Sequence, residues 1–327
     1  MNIGIFGVGK FGETHIIVLQ SIQEINIIGF FDPDKKRAQE ISKKYRIKAY
    51  ENAEDLVAKC DAIDIVSNTN THFEIIQIGI KHNKHIFVEK PICSNQLELK
   101  NLITQTLDYE SIIQVGHIER YNPATQKGFQ DIQEIKSIKT NRAGTLNERN
   151  KSTSIVIDLM IHDIDLVFSI VKSPIKYIKA IGSQKINNLY NHVKCTLTFD
   201  NNVEAELTAK RSYNINTNRN LSITCNNKIV EIDLLNRTIK ATKKNNLWIC
   251  QENVNPLKME FIDFVRNVKH KTQPIVGIHE SCKAVETALK NSAVFSVSTR
   301  WKNLEPKQSV VLQSNCPVMI EFIMLIE

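Results

Sequence analysis

The first 115 residues alternate short apolar runs with amphipathic stretches, and this pattern restricts the fold more than any other feature of the chain. The apolar runs are four to seven residues long and rich in Ile and Val: 3–6, 25–31, 62–66, 85–88 and 112–115. Stretches with helical periodicity lie between them, at 35–45, 73–81 and 95–105. Such alternation predicts parallel strands whose connecting helices cover both faces of the sheet. We therefore expect a doubly wound α/β domain over residues 1–118.

After about residue 120 the pattern changes to a helix followed by successive strands. A helical stretch at 155–171 precedes strands such as 193–199 and 203–208, which are joined by polar turns. Strands that follow one another through short polar turns predict an antiparallel sheet. Two later helices are expected near 257–269 and 279–296. Residues 119–300 are thus predicted to form an α+β domain with a large open, mostly antiparallel sheet, and 301–327 a tail to which we assign no role.

Composition excludes several classes of protein. The 42 Lys and Arg exceed the 35 Asp and Glu, but the basic residues are scattered, whereas a nucleic-acid surface needs a clustered stripe with aromatics. No run approaches the roughly 18 apolar residues of a membrane span, and no secretory signal is visible at the start. The seven cysteines stand 25 or more residues apart, which is typical of reduced thiols in a cytoplasmic protein. We expect no nucleic-acid or membrane partner.

A glycine-rich segment follows the first predicted strand and precedes a helix. Gly7, Gly9 and Gly12 have the GxGxxG spacing of dinucleotide-binding loops, with Val8, Lys10 and Phe11 between them. The first glycine would make a tight turn, the second would let the backbone approach a pyrophosphate, and the third would let helix and strand pack closely. The N-terminus of the following helix would offer N–H donors to the phosphates.

Asp32 ends the second strand, 20 residues after the last glycine of the loop. A carboxylate at this place accepts hydrogen bonds from a ribose 2′-hydroxyl and repels a 2′-phosphate, so the sequence favours NAD over NADP. The neighbouring Lys35, Lys36 and Arg37 leave NADP open, because one of them could reach a phosphate, although a solvated first helical turn is the commoner explanation.

Two further positions carry acid–base groups. Lys90 follows the strand 85–88 at the carboxyl edge of the sheet, where open α/β sheets bind their ligands, although a surface lysine after a strand is common. Asp158 and His162 are spaced i, i+4 on the helix that opens the second domain, so they share one face. A carboxylate beside an imidazole suits general acid–base catalysis at a hydroxyl. No further His or Cys lies at zinc-ligand spacing, and we predict no metal.

Together these motifs resemble the glucose–fructose oxidoreductase / inositol dehydrogenase / MocA (Gfo/Idh/MocA) family over roughly residues 1–297. The matching motifs are Gly7-x-Gly9-x-x-Gly12-x-x-His15, Asp32-Pro33-Asp34, Glu89-Lys90-Pro91 and Asp158-x-x-x-His162. The resemblance implies an NAD-binding Rossmann domain, a second domain for substrate and oligomerisation, and a homodimer or homotetramer. It also implies that Lys90, Asp158 and His162 surround the oxidised carbon. The expected cofactor-binding residues are Gly7, Val8, Gly9, Lys10, Phe11, Gly12, Asp32, Ser67, Asn68, His72, Glu89 and Lys90.

A narrower resemblance is to the branch of this family that acts on UDP-linked N-acetylhexosamines. It rests on the segments 116–123, 157–165 and 230–236. It implies reversible hydride transfer between nicotinamide and C3 of such a sugar. Either His162 takes the hydroxyl proton while Lys90 stabilises the alkoxide, or the two roles are exchanged. The chain departs from the family at Ser67, where members often have Thr-Pro before the following His, and at 152–155, where many carry glycines.

Five residues are predicted to contact the substrate. Arg120, Tyr121 and Asn122 follow the strand 112–115 at the carboxyl edge of the sheet. Arg142 and Arg149 could bind a diphosphate, because a guanidinium pairs well with phosphate oxygens. Three other functions stay open: a dehydrogenase of a free sugar or inositol, a non-catalytic dinucleotide-binding regulator, and a scaffold whose sheet serves only assembly.

Overall fold

The computed structural model describes residues 1–130, 132–242, 246–249, 254–297, 310–312 and 319–322. The chain forms two compact units that are interleaved in sequence. The first contains Met1–Tyr121 and Asn253–Lys283, and the second contains Asn122–Glu252 and Ala284–Glu327. The domain boundaries expected from sequence are contiguous, whereas these units are not. Most of the expected tail, 301–327, lies outside the described residues.

The first unit contains a six-stranded parallel sheet in the order β3-β2-β1-β4-β5-β6. This order and the parallel pairing confirm the doubly wound α/β fold predicted from the alternating pattern. The two-residue strand β3 and the short helix α3 were not among the predicted elements. The elements are β1 Asn2–Phe6, α1 Lys10–Gln20, β2 Asn26–Phe31, α2 Lys35–Tyr45, β3 Ala49–Tyr50, α3 Ala53–Val57, β4 Ala62–Ile65, α4 Thr69–Lys81, β5 His85–Glu89, α5 Gln96–Gln105 and β6 Ile113–Gly116.

The central strands are apolar because helices bury them on both faces. All four residues of β4 are buried, and Ile3 and Ile5 of β1 have no exposed surface. Short polar residues start several helices: Asp34 accepts hydrogen bonds from the Lys36 and Arg37 N–H groups at the start of α2, and Asn95 caps α5 in the same way. The carboxyl ends of the strands are thereby held at one edge of the sheet.

A late helix, α8 (Pro256–His270), returns to the first unit. Phe261 and Phe264 on this helix are fully buried, and the ring of Phe261 lies 4.3 Å, centroid to centroid, from that of Phe87 on β5. The side-chain amide of Gln114 on β6 donates to the Glu260 carbonyl at 2.9 Å. Helix α8 therefore completes the core of the Rossmann sheet from a point far along the chain.

The second unit is built on a mixed sheet with described strands in the order β14-β13-β12-β11-β7-β10-β9-β8-β16-β15. Most neighbours are antiparallel, while β10 runs parallel to β7, and β16 to β8. The strands are β7 Ile135–Thr145, β8 Ile175–Ile186, β9 Leu189–Phe199, β10 Glu204–Ser212, β11 Asn218–Cys225, β12 Ile229–Asp233, β13 Thr238–Ala241, β14 Asn246–Ile249, β15 Val310–Leu312 and β16 Met319–Phe322. The large, mostly antiparallel sheet confirms the α+β prediction.

Helices α6 (Pro123–Phe129) and α7 (Ile161–Ile170) belong to the second unit, and α9 (Ile278–Val297) belongs to it from Ala284 onward. The sheet buries alternate residues, as a strand with one covered face must. On β10, Ala205, Leu207 and Ala209 have no exposed surface, whereas the residues between them are partly exposed. The stretch 155–171, predicted as one helix, instead consists of a π-helical turn, Val156–Met160, followed by α7. Asp158 lies in the π-turn and His162 in the first turn of α7.

Candidate functional site

The loop between β1 and α1 has the backbone geometry of a phosphate cradle. Gly7 has a φ of +93°, which side chains disfavour, and its N–H donates to the Phe31 carbonyl at 2.9 Å. A Cβ on Gly7 would lie 2.6 Å from Ser67 Cα, and one on Gly12 would lie 2.1 Å from the Gly7 carbonyl oxygen. A Cβ on Gly9 would meet no atom of the described residues within 4 Å. Packing thus requires the first and third glycines, while the second faces open space.

Asp32 is held at the end of β2 by backbone donors. Its Oδ2 accepts from the Val8 N–H at 2.7 Å, and its Oδ1 accepts from the Asp34 N–H at 2.9 Å. The carboxylate is therefore fixed directly beside the glycine loop. Each of its oxygens has two acceptor sites, so a hydroxyl can still bind.

Arg37 is held by its own unit. Its Nε donates to the Val8 carbonyl at 2.8 Å, and its Nη2 donates to Glu13 Oε2 at 2.7 Å. Side-chain hydrogen bonds from Lys44, Tyr45 and Arg37 lower the pKa of Glu13 to about 2, so Glu13 keeps its charge. Arg37 therefore connects α2 to the glycine loop and to α1 instead of reaching out as a free cation.

The ends of β4 and β5 are joined by His72. One ring nitrogen, Nδ1, lies 2.9 Å from the Pro91 carbonyl oxygen, and Nε2 lies 3.1 Å from the Ser67 carbonyl oxygen. His72 is almost fully buried; burial lowers its pKa, against the contacts with the Pro91 and Ser67 carbonyls, which raise it. This contact connects the Ser67 turn beside Gly7 to the Lys90-Pro91 segment, whose peptide bond is cis.

Beneath this edge lies a buried cluster of three ionisable side chains. Nδ1 of His15, on α1, lies 3.0 Å from Asp64 Oδ2 on β4, and its Nε2 lies 3.5 Å from Glu89 Oε1 at the end of β5. Burial lowers the pKa of His15, but the two carboxylates outweigh it and raise the pKa to about 10. Glu89 Oε2 also accepts from the Lys90 N–H at 3.2 Å. A buried imidazolium therefore lies between two carboxylates, one of them next to Lys90.

In the second unit, Asp158 is paired with an arginine. Arg211 Nη1 donates to Asp158 Oδ2 at 3.0 Å. The arginine side chain has no exposed surface, whereas the aspartate side chain is 26% exposed. His162, one turn further along, is half-buried. The two residues that the sequence places on one helical face thus both retain some access to solvent.

Three predicted substrate residues are occupied with contacts inside their own unit. The Tyr121 hydroxyl donates to Asp263 Oδ2 at 2.7 Å, and Tyr121 is 3% exposed. Asn122 caps α6 through the Ala124 N–H and donates to the Leu234 carbonyl. Arg142 is 2% exposed, and its Nε and Nη2 both donate to Asp163 Oδ1, at 2.9 and 2.7 Å. The predicted substrate roles of Tyr121, Asn122 and Arg142 stay predictions.

The remaining predicted residues have accessible surface. Lys10, Asn68 and Arg149 are exposed, and Phe11, Lys90 and Arg120 are half-buried. Arg149 lies in the turn after β7, and Arg120 lies in a 3-10 turn, Ile118–Tyr121, after β6. Their roles as cofactor or substrate contacts stay predictions.

Four polar residues at these sites were not assigned roles from sequence. They are Asp64, Arg211 and Asn191, together with His15, which was quoted only as part of a motif. The signal for Asp64 is a lone acid inside the apolar run 62–66. The signal for Arg211 is its position in the period-two pattern of β10, which places it on the same buried face as Leu207 and Ala209.

The described residues fit a dinucleotide. The N-terminus of α1 is capped by Gly9, which has no side chain to bind the first N–H groups, so these donors can point at phosphate. Gly9 also has the open space that a bound pyrophosphate requires, and Asp32 is fixed nearby for a ribose. No group of three or more His, Cys, Asp or Glu side chains that could hold a metal ion lies among the described residues. No helix in that part of the chain is long and apolar enough to cross a membrane.

Known proteins resemble this chain in both units. A family model described as "Oxidoreductase family, NAD-binding Rossmann fold" matches residues 1–117, and one described as "GFO/IDH/MocA C-terminal domain" matches residues 131–231. UDP-N-acetylglucosamine 3-dehydrogenase of Acidithiobacillus ferrooxidans is 27% identical over 243 residues, which are 73% of this chain and 76% of that protein. Myo-inositol 2-dehydrogenase of Thermotoga maritima is also 27% identical, over 56% of this chain and 58% of that protein.

Solved structures show the same fold. A structure of the Acidithiobacillus ferrooxidans enzyme superposes with a TM-score of 0.84 at 24% identity, and covers 90% of this chain and 97% of that one. Scyllo-inositol dehydrogenase of Lactobacillus casei, solved with NAD(H) and scyllo-inositol, has a TM-score of 0.78 at 18% identity, over 91% of this chain and 97% of that one. The predictions of family, fold and enzyme class are therefore confirmed, and this chain belongs to the Gfo/Idh/MocA family of NAD-binding oxidoreductases.

Proposed function

We propose that this protein is an NAD-dependent dehydrogenase that oxidises C3 of a UDP-N-acetylhexosamine, in the manner of a UDP-N-acetylglucosamine 3-dehydrogenase. The observation that carries the substrate proposal is the match to the Acidithiobacillus ferrooxidans enzyme, which spans 73% of this chain. Membership of the family does not by itself specify a nucleotide sugar, the carbon C3 or NAD, and these are our proposals.

Two contacts support NAD over NADP. The Asp32 carboxylate is fixed beside the glycine loop by the Val8 and Asp34 N–H groups, and its charge opposes a 2′-phosphate. Arg37, the nearby cation best suited to phosphate, is bound to Glu13 and to the Val8 carbonyl. A 2′-phosphate would thus be repelled by the Asp32 carboxylate, and Arg37 already donates hydrogen bonds to Glu13 and Val8.

The residues of this chain divide the chemistry as follows. NAD, when bound, supplies the two-electron acceptor that oxidation of the carbon requires. His162 accepts the proton of the reacting hydroxyl, and the Lys90 ammonium donates a hydrogen bond to the developing alkoxide oxygen. Asp158 orients the same hydroxyl by accepting a hydrogen bond. Gly9 and the N-terminal N–H groups of α1 bind the pyrophosphate, and Asp32 binds the adenosine ribose.

The test follows formation of NADH by its near-ultraviolet absorbance. Purified protein and NAD are mixed separately with UDP-N-acetylglucosamine, UDP-glucose, N-acetylglucosamine and inositol, with an aminotransferase and amino donor added to remove any 3-keto product. We expect a signal confined to the UDP-N-acetyl sugar and absent in H162Q and K90M. Mass spectrometry of the product locates the oxidised carbon. NAD binding without turnover of any sugar would contradict the proposal and favour a regulatory role.

A free polyol is the second candidate, because inositol dehydrogenases also match this chain. The two substrates differ in the nucleotide, which gives a test that needs no turnover. If the substrate is a nucleotide sugar, UDP raises the thermal unfolding temperature of the protein, whereas inositol does not. The opposite result would replace our proposal with an inositol dehydrogenase.

We further propose a homodimer or homotetramer located in the cytoplasm. The open sheet of the second unit is large for a single chain, and it supports assembly through that surface. Sedimentation equilibrium of the purified protein gives the number of subunits, and a monomer at micromolar concentration would contradict the proposal.

A further inference from the structure

The second unit contains a buried arginine that binds the Asp158 side chain and the segment before it. Arg211 lies near the end of β10 and has a fully buried side chain. Its three guanidinium nitrogens each donate to a different partner: Nε to Asn191 Oδ1 at 3.0 Å, Nη1 to Asp158 Oδ2 at 3.0 Å, and Nη2 to the Thr153 carbonyl at 2.7 Å. One side chain therefore joins strands β9 and β10 to the start of the π-turn.

One partner of Arg211, Asn191, is itself held in place. Asn191 lies on β9, next to β10 in the sheet, and is 1% exposed. Its Nδ2 donates to the Leu189 carbonyl at 3.0 Å, which orients its Oδ1 toward Arg211. A planar guanidinium with three hydrogen-bond partners has little freedom to rotate. The sheet thus supplies a rigid anchor.

This anchor acts on a residue in an irregular turn. Asp158 lies within Val156–Met160, where the helix is wound as a π-turn before α7 begins at Ile161. Such turns are rare inside α-helices and occur often at functional sites. The Asp158 carboxylate is bound on its buried side through Oδ2, while its side chain remains 26% exposed.

We propose that Arg211, supported by Asn191, is a positioning residue that holds the Asp158 carboxylate in the orientation required by the substrate hydroxyl. The proposal rests on the function proposed above, in which Asp158 accepts a hydrogen bond from that hydroxyl. Arg211 does not touch the substrate, because it has no exposed surface. It acts through Asp158, and a misplacement of about 1 Å at such a group costs on the order of 100-fold in rate.

The experiment is a double-mutant cycle with R211M and D158N, followed by steady-state kinetics on the best sugar of the panel. We expect R211M to lower kcat by 10- to 100-fold, as an order of magnitude, with the KM for NAD unchanged. In the D158N background, R211M should change kcat by less than about 2-fold, because the carboxylate through which Arg211 acts is gone. An equal fall in both backgrounds would mean that Arg211 is structural only, and would overturn the proposal.

Two variants keep this test interpretable. R211K retains a charge but lacks the planar fork whose three nitrogens reach three separate partners, so we expect a folded protein with a smaller loss of kcat. D163N breaks the other buried arginine–aspartate pair, Arg142–Asp163, and should lower the unfolding temperature without the coupling to D158N. A wild-type protein that oxidises no sugar would overturn the function and this proposal together. An active wild type with an equally active, folded R211K would overturn only the role of Arg211.

Discussion

Because His15 and Asp64 form a buried pair, we expect the first unit to lose stability as the pH becomes alkaline. Both side chains have no exposed surface, and the ring lies 3.0 Å from the carboxylate. In the unfolded chain the pKa of this histidine is near 6.5, whereas the carboxylates of Asp64 and Glu89 raise it to about 10 in the folded protein, against the opposing effect of burial. The folded state therefore retains a proton that the unfolded state releases.

The sign and size of the effect follow from this difference. A raised pKa contributes stability that is complete below pH 6.5 and is lost as the pH rises through 10. Between these limits the free energy of unfolding falls by about 1.4 kcal/mol for each pH unit. We therefore expect a loss of about 2 kcal/mol between about pH 7.5 and pH 9. Cysteines add to the slope, because burial also raises the pKa of Cys60, to about 11, so the measurement needs a reference variant.

The reference variant is the double amide H15Q/D64N, which keeps the polar contact but cannot titrate. Urea unfolding of the wild type and of this variant, at several pH values, gives the two free-energy profiles. Amide hydrogen exchange of β4 reports the same free energy locally and keeps the measurement on the first unit. The wild-type profile should fall relative to the double amide by the amount given above.

The single variant H15Q has a different expected outcome. It leaves the Asp64 carboxylate buried without its cation, which costs about 3 to 5 kcal/mol near neutral pH. The double amide should therefore be more stable than H15Q. Parallel profiles for the wild type and the double amide would refute the reasoning, because they would show that His15 holds no extra proton.

Three further outcomes can be checked. G9A adds a Cβ that meets no neighbour, so the NAD-free protein should keep its unfolding temperature while the Kd for NAD rises at least about 10-fold by calorimetry; unchanged NAD affinity would exclude this loop as the pyrophosphate site. D32S removes the charge opposed to a 2′-phosphate and should raise kcat/KM for NADP relative to NAD about 10-fold; an unchanged ratio would show that Asp32 does not select the cofactor. F261A empties a fully buried position against β5 and should destabilise the first unit by about 3 to 5 kcal/mol in urea; a loss under about 1 kcal/mol would show that α8 is not part of its core.

The sequence predicted correctly those features of the fold that depend on residues close together in the chain. The alternation of apolar runs with helical stretches predicted the parallel sheet, since burial on both faces requires such runs. The glycine spacing predicted the turn that the structure shows, because Gly7 needs a positive φ and Gly12 lies against Gly7 itself. Both features are set within a few residues of chain.

The contacts of the buried charged side chains depend on residues that are far apart in the sequence. The sequence suggested Arg142 for a diphosphate, but α7 brings Asp163 to it in a buried pair. Arg211 and Asp158 are 53 residues apart, and the sheet brings them together. His15, on helix α1, acquires its charge from Asp64 and Glu89, which follow it on strands β4 and β5. The sequence by itself determined the fold class and the cofactor loop, because periodicity and glycine geometry are local. Only the tertiary structure decided which charged side chains are neutralised inside the protein, since that depends on which distant residues share one desolvated space.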